Sequence, residues 1–144
     1  MDEPTPAARR PPLEGRYVPT PDGPNVDFYR HARSGRLHLQ HCAACGRHQH
    51  PPRYRCPACG SADLSWEPVA GTGAVHSWTV THRPVDLVWA TVAPYATVVV
   101  ALAEGPRLVG AWEGELDDLR LDLPVTVDVE PAGDEFAFLW FRPA

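Results

Sequence analysis

The sequence predicts a mainly β protein, with an N-terminal short helix and a zinc ribbon followed by a five-stranded OB-fold barrel. Three features predict this class. Two Cys-x-x-Cys pairs lie close together in the first half, segments rich in Val, Thr and Trp follow one another in the second half, and Gly or Pro turns separate these segments. The predicted organisation is a proline-rich tail over 1–24, the helix and ribbon over 25–68, and the barrel over 69–144.

The tail is predicted from composition. Seven of the seventeen prolines fall within residues 1–24, which contain almost no large apolar side chains. Such a segment cannot bury a core, so we expect it to be flexible or extended. The alternative is an arm that becomes ordered against a partner.

A short helix and a strand lead from the tail into the cysteines. Asn25 or Asp27 can cap the helix, and Gly35 supplies its C-terminal stop. Residues 36–40 then alternate, with Leu37 and Leu39 on one side, which predicts a strand.

Strand patterns dominate the chain after the cysteines. Predicted strands cover 73–83, 96–104, 107–113, 124–130 and 135–142, and a short helical segment covers 115–119. Five strands with one helical insert fit a small closed Greek-key barrel, and the OB-fold is a common solution of that kind. An SH3-like barrel is the alternative that the same strand count allows.

The cysteine pairs have the spacing of a metal site. The predicted ligands are Cys42, Cys45, Cys56 and Cys59. Each pair forms a tight turn, and a glycine follows each second cysteine, where the backbone needs a positive φ. Four thiolates satisfy Zn²⁺ completely and leave no open coordination position, so the zinc is expected to be structural. Iron in a rubredoxin-like centre is the alternative.

Other polar side chains crowd the same region. The histidines at 38, 41, 48 and 50 either coat the ribbon surface or form a second metal site or a catalytic base. Arg47, Arg53 and Arg55 form a basic cluster that either faces solvent or contacts phosphate, since guanidinium pairs bidentately with phosphate oxygens.

The loop between the first two barrel strands is unusually apolar. It spans 83–95 and contains Leu87, Val88, Trp89 and Tyr95, with His82 just before it. We expect these residues either to plug the barrel or to form a protein interface or the wall of an acyl channel.

Length and charge narrow the classes of function. The chain has 144 residues and a net charge of −5, and all thirteen of its basic residues are arginine. Residues 1–60 carry a balance of +4 and residues 61–144 a balance of −9, so an anionic partner should prefer the first half. No apolar run approaches the roughly 18 residues of a membrane span, and no secretory signal opens the chain. We therefore expect a cytoplasmic protein that has no membrane partner.

The order of these motifs resembles a known family of bacterial and archaeal proteins. The resemblance begins at 28–29 and 35–37, continues through both cysteine pairs and 51–53, and extends over 71–73, 77–80, 82–84, 94–95, 124–125 and 141–144. The chain is identified as a member of the acyl-CoA-associated family that has an N-terminal rubredoxin-like zinc ribbon and a C-terminal OB-fold.

The resemblance implies a function. Members of this family accompany thiolase-superfamily or lipid-transfer-protein-like enzymes, including the aldolases that shorten steroid side chains as CoA thioesters. It implies a non-catalytic accessory subunit of a hetero-oligomer that shares a CoA thioester with its partner. Arg47, Arg53 and Arg55 are then candidates for the CoA phosphates.

Two other functions compete with this one. Zinc ribbons and OB-folds both commonly bind nucleic acids, but a barrel half with a balance of −9 would repel a phosphate backbone. A stand-alone enzyme is the third hypothesis, and the sequence contains no Gly-x-Ser-x-Gly elbow or glycine-rich phosphate loop to support it. We expect no nucleic acid partner and no catalytic residues.

Overall fold

The computed structural model describes residues 10–144, so the first nine residues of the predicted tail lie outside the described part. The helix α1 spans Asn25–Ala32 and buries Phe28 and Ala32, which are one turn apart. Pro24 occupies the N-cap position, so the side-chain cap predicted from Asn25 or Asp27 is not formed. Proline suits this place because its fixed φ matches the start of a helix.

The ribbon is built on a small antiparallel sheet. Its strands are β1 (His38–Cys42), β2 (His48–Gln49) and β3 (Leu64–Pro68), in the order β2-β1-β3. The central strand β1 is the one predicted at 36–40, shifted by two residues, whereas β3 was not predicted. The sheet brings both ends of the cysteine region back to β1.

The second half closes into a barrel of five strands. They are β4 (Thr72–Thr81), β5 (Tyr95–Leu102), β6 (Arg107–Trp112), β7 (Pro124–Ala132) and β8 (Phe136–Pro143), in the order β4-β5-β6-β8-β7. β7 pairs with β4 to close the barrel, and β6 pairs in parallel with β8. This order is that of the OB-fold, which confirms the predicted fold class.

A 3₁₀ turn at Leu116–Asp118 follows β6, at the place of the helical segment predicted over 115–119. The barrel strands alternate as the sequence pattern requires. In β5, for example, Ala96, Val98, Val100 and Leu102 point into the core.

The ribbon and the barrel share one apolar core. Phe28, Leu37 and Leu39 belong to the same buried cluster as the barrel residues. A hydrogen bond also connects the two parts, because the guanidinium of Arg33 donates to the carbonyl oxygen of Phe136 at 2.8 Å. The ribbon is therefore held in one orientation on the barrel by apolar packing and by a hydrogen bond.

Residues 10–24 belong to the segment predicted to be a flexible or extended tail. They contain no helix or strand, and residues 10–18 lie against the barrel, with Pro11 and Arg16 buried. The Arg16 guanidinium forms an ion pair with Glu130, whose nearest oxygen is 2.6 Å away. This contact is electrostatic, and composition alone could not reveal it, because the carboxylate that pairs with the arginine is distant in the sequence.

The apolar loop after β4 contains a one-turn helix, α2 (Leu87–Ala90), that was not predicted. The side chain of Asp86 caps it by accepting a hydrogen bond from the amide of Val88 at 2.8 Å. Within the described part of the chain, no helix is long and apolar enough to cross a membrane.

Candidate metal centre

The two cysteine pairs form equivalent knuckles. In the first, the Gly46 amide donates to the Cys42 carbonyl oxygen at 2.8 Å, and in the second the Gly60 amide donates to the Cys56 carbonyl oxygen at 2.8 Å. Both glycines have positive φ, 78° and 79°, which a residue with a Cβ rarely adopts. The sequence therefore folds each pair into the same turn and directs its two sulfurs towards one point.

The sulfur atoms are spaced as a metal requires. The four Sγ atoms lie within 4.8 Å of one another, and Cys42–Cys59 and Cys45–Cys56 are each separated by 3.6 Å. Tetrahedral zinc with bonds of about 2.3 Å places its sulfurs about 3.8 Å apart. The donor set thus fits Zn²⁺ in distance and in chemistry.

The pKa values of two of the thiols are shifted in opposite directions. Hydrogen bonds with the backbone of Cys59 and Ala58 lower the pKa of Cys56 to about 6. The hydrogen bond with the Ser61 backbone lowers the pKa of Cys59, but hydrogen bonds with the other thiols, led by Cys42, raise it to about 11. Four thiolates this close coexist only when a metal ion balances their charge.

The centre is a structural zinc site. Cys42 and Cys56 are buried and Cys45 and Cys59 lie on the surface, so the ribbon wraps one side of the site. Among residues 10–144, these cysteines form the only group of three or more metal-ligating side chains that converge. With four protein ligands, zinc contributes folding energy and keeps no position for a substrate.

A buried glutamine pair supports the knuckles and was missed by sequence reasoning. The Gln40 Oε1 atom accepts from the Gln49 side chain and from the Arg53 amide, both at 2.8 Å. Gln40 Nε2 then donates to the Arg53 carbonyl oxygen at 2.9 Å. The only sequence signal was Gln40 at the end of a strand pattern, and a polar residue there is also what a surface strand would carry.

Within residues 10–144, the histidines considered for a second metal site do not belong to any group of three or more converging metal ligands. His41 and His48 contact the two carboxylate oxygens of Glu67, at 3.3 and 3.0 Å, and their ring centroids are 5.0 Å apart. His38 stacks on His31 instead, with ring centroids 4.5 Å apart. His50 packs on Phe28, and burial lowers its pKa to about 4, so it stays neutral.

The three arginines proposed as phosphate ligands all lie on the ribbon surface. Arg47 and Arg55 flank the knuckles, and Arg55 donates to the Gly60 carbonyl oxygen at 3.1 Å. Arg53 follows the glutamine pair, and its side chain is exposed. Within residues 10–144, none of the three pairs with a carboxylate.

The interface candidates in and beside the apolar loop fall into two groups, which differ in how exposed their side chains are. Trp89 packs inwards, with its ring centroid 5.0 Å from that of Tyr95 and 6.0 Å from that of Trp140, and Val88 is half-buried beside it. Leu87 points outwards and is 84% exposed, and Val85, two residues earlier in the same loop, is 100% exposed. His82 is exposed just beyond the end of β4.

Comparison with known proteins places the chain in a family. Residues 30–65 match the rubredoxin-like zinc ribbon domain of ChsH2, and residues 66–130 match the C-terminal OB-fold domain of ChsH2. A solved structure named Ltp2-ChsH2(DUF35) aldolase contains a chain that superposes with a TM-score of 0.78 at 37% identity. That match covers 88% of this chain and 98% of the other.

Two curated proteins are also similar. A probable enoyl-CoA hydratase alpha subunit of Thermomonospora curvata is 39% identical over 121 residues, which cover 83% of this chain and 37% of that protein. A DUF35 domain-containing scaffold protein of Methanothermobacter thermautotrophicus is 35% identical over 68 residues, covering 46% of this chain and 50% of that protein. The matches thus span half or less of each curated relative.

Proposed function

Because the chain belongs to the ChsH2 family of zinc-ribbon and OB-fold proteins, we propose that it is a non-catalytic accessory subunit of an acyl-CoA enzyme. It docks on a thiolase-superfamily or lipid-transfer-protein-like enzyme and helps to form the CoA-thioester site of that partner. The partner is a thiolase or a retro-aldolase of lipid breakdown, with steroid side chains among its acyl groups. The complex is a cytoplasmic hetero-oligomer.

The names of the similar proteins support an accessory role. The similar solved structure is described as an aldolase that combines Ltp2 with ChsH2, one curated relative is described as a subunit, and the other as a scaffold protein. Each name describes an assembly or a part of one. The acidic barrel half also argues against the nucleic acid alternative, because it would repel a phosphate backbone.

The observation that carries the docking proposal is the exposure of the α2 loop. Val85 and Leu87 together present two aliphatic side chains to solvent, beside His82, on a loop whose inner residues are packed. Apolar side chains on an ordered element are typical anchors of a protein interface. The loop therefore offers a partner a preformed apolar contact.

The ribbon arginines are the proposed CoA contacts. Arg47, Arg53 and Arg55 face solvent near the two knuckles and keep their charge unpaired within the described residues. A guanidinium that is not already paired can bind the phosphates of CoA bidentately. In this proposal the zinc holds the ribbon in shape and the arginines bind the nucleotide end of the thioester.

Co-expression with a thiolase-like enzyme encoded beside this chain tests the docking. Val85→Asp with Leu87→Asp should weaken the complex at least about 10-fold, since each buried apolar anchor contributes about 1–2 kcal/mol. The matched control is Val26→Asp, because Val26 is also exposed but lies on α1 and not in the loop. Size-exclusion chromatography and calorimetry measure the complex.

The same complex tests the arginines. Arg53→Ala with Arg55→Ala should raise the apparent KM for a CoA thioester and leave assembly unchanged, with Arg107→Ala on the barrel as the control. Separate elution of the two wild-type proteins would refute the proposal, and so would full activity of the enzyme without this chain. Turnover by this chain alone would refute the non-catalytic assignment.

A further inference from the structure

The segment that precedes α1 crosses a particular face of the barrel. Residues 10–18, here called the strap, lie over the outward side of β7 and β8. The inward side of these strands carries core residues such as Leu139 and Phe141, whereas the outward side carries Asp128 and Glu130 on β7 and Phe138 and Trp140 on β8. The cross-strand partners are Asp128 with Trp140 and Glu130 with Phe138, which makes one patch of acids and aromatics.

Two arginines of the strap fill this patch. Arg10 forms ion pairs with Glu113 and with Asp128, the latter at 2.6 Å, and its guanidinium lies 4.9 Å from the Trp140 ring centroid. Arg16 has a side chain that is only 1% exposed, and both of its terminal nitrogens contact the Glu130 carboxylate, at 2.6 and 3.3 Å. Arg16 also closes the strap on itself by donating to the carbonyl oxygen of Pro11.

The network defines one position for Trp140. Its indole N–H donates to Glu130 at 3.0 Å, the same carboxylate that Arg16 holds, and both guanidiniums contact its ring. Burial alone would raise the pKa of Glu130, but hydrogen bonds from Arg16 and Trp140 lower it below the usual value, so the carboxylate stays charged. A buried ion pair is weak evidence for stability, and in this network the two arginines and Glu130 together contact the indole of Trp140.

The α2 loop rests on that tryptophan. Trp89 stacks on Trp140 with ring planes 26° apart, and the strap backbone passes α2 so closely that a Cβ on Gly15 would lie 3.1 Å from Val88 Cγ2. In the described part of the chain, the hydrogen bonds of residues 86–93 all close within the loop itself. A single helical turn is not stable alone, so the side-chain contacts of Val88 and Trp89 decide where α2 lies.

We propose that the strap is a positioning element for the α2 loop, acting through the contacts Arg10/Arg16–Trp140–Trp89 and Gly15–Val88. The strap holds α2 against the end of the barrel with Leu87 directed outwards. Only the purpose of this positioning rests on the proposed function, in which α2 is the docking element. The contact chain itself is a property of the free subunit.

Hydrogen exchange of the free, full-length, zinc-loaded chain tests the inference. The double variant Arg10→Met and Arg16→Met keeps the apolar stems of both side chains and removes their charges. The second variant, Val88→Ala, shortens only the α2 side of the Gly15–Val88 contact. It keeps the test informative if the arginine variant does not fold. Arg30→Met is the control, because Arg30 pairs with Asp27 on the surface of α1. We expect the amides of 90–93 to exchange at least 10-fold faster in both test variants, and those of Val98 and Val100 in β5 to exchange at the wild-type rate.

The other results would overturn the inference. Unchanged exchange at 90–93 would show that the loop holds its own position. Equal acceleration in the loop and in β5 would show that the strap is a general stabiliser of the barrel. Because no partner enzyme is present, the test can fail while docking through Leu87 succeeds, and docking can fail while the strap still orders the loop.

Discussion

The ribbon tip and the barrel are held together by different kinds of interaction. In the tip, residues 42–60, the buried side chains are two cysteines, a glutamine and a proline, and β2 is two residues long. The barrel instead buries a continuous set of aliphatic and aromatic side chains, including Val98, Val100 and Phe141. The tip has too little apolar surface to fold by burial, so a metal replaces the core that it lacks.

The two regions meet within a single strand. At its start β1 lies beside Leu37 and contains Leu39, both part of the shared apolar core, and it ends at Cys42, a zinc ligand. Buried apolar side chains thus attach the ribbon to the barrel, and metal coordination stabilises the opposite end of the ribbon. Removal of one kind of interaction should therefore damage one region more than the other.

Loss of a zinc ligand should have the largest effect. Cys59→Ser should release the metal and unfold the tip, because the binding of structural zinc contributes about 10–16 kcal/mol in isolated zinc-finger peptides. Cys59 is exposed, so the substitution creates no cavity. Metal analysis and hydrogen exchange should show zinc lost, amides of 42–60 unprotected and those of β5 still protected.

The matched control is Ala44→Ser, which adds the same hydroxyl to an exposed position of the first knuckle that is not a ligand. It should retain one zinc per chain. Loss of protection in the barrel together with the tip would contradict the division of the molecule into two differently stabilised regions.

A core truncation in the barrel should have the next largest effect. Phe141→Ala removes a ring that is 0% exposed and should lower the free energy of unfolding by about 3–5 kcal/mol. Val109→Ala is the control, since Val109 is 59% exposed on β6 and should change stability by less than about 1 kcal/mol. Chemical denaturation measures both, and the folded variant should still bind one zinc. A variant that is folded but has lost its metal would show that the tip depends on the barrel core.

The junction between the two regions should respond to pH by a smaller amount. His50 is half-buried against Phe28 and has a pKa of about 4, whereas an unfolded histidine titrates near 6.5. As the pH falls, His50 is therefore protonated in the unfolded chain before it is protonated in the folded one. The stability contribution is complete above about pH 6.5 and is lost as the pH falls towards 4.

Between pH 7 and 5 this difference amounts to about 2 kcal/mol. His50→Phe keeps an aromatic ring and should flatten the pH dependence of the unfolding free energy by that amount. His76→Phe, at an exposed position of β4, should not. Identical pH profiles of wild type and His50→Phe would show that His50 is solvated.

Local patterns in the sequence determined the zinc site and the number of barrel strands. A Cys-x-x-Cys-Gly motif specifies its own turn, and alternation specifies a strand, because both depend on neighbours a few residues away. This is why Cys42, Cys45, Cys56 and Cys59 and all five barrel strands were predicted, with boundaries shifted by a few residues.

Only the tertiary structure decided how these pieces meet. The parallel pairing of β6 with β8 distinguishes the OB-fold from the SH3-like alternative. It places Ala111 beside Trp140, although the whole of β7 separates the two strands in the sequence. The strap depends on Arg16 and Glu130, which are 114 positions apart, and α2 depends on a tryptophan on β8. No periodicity encodes such pairs, because the free energy of an ion pair or a ring contact is realised only after the chain has closed around it.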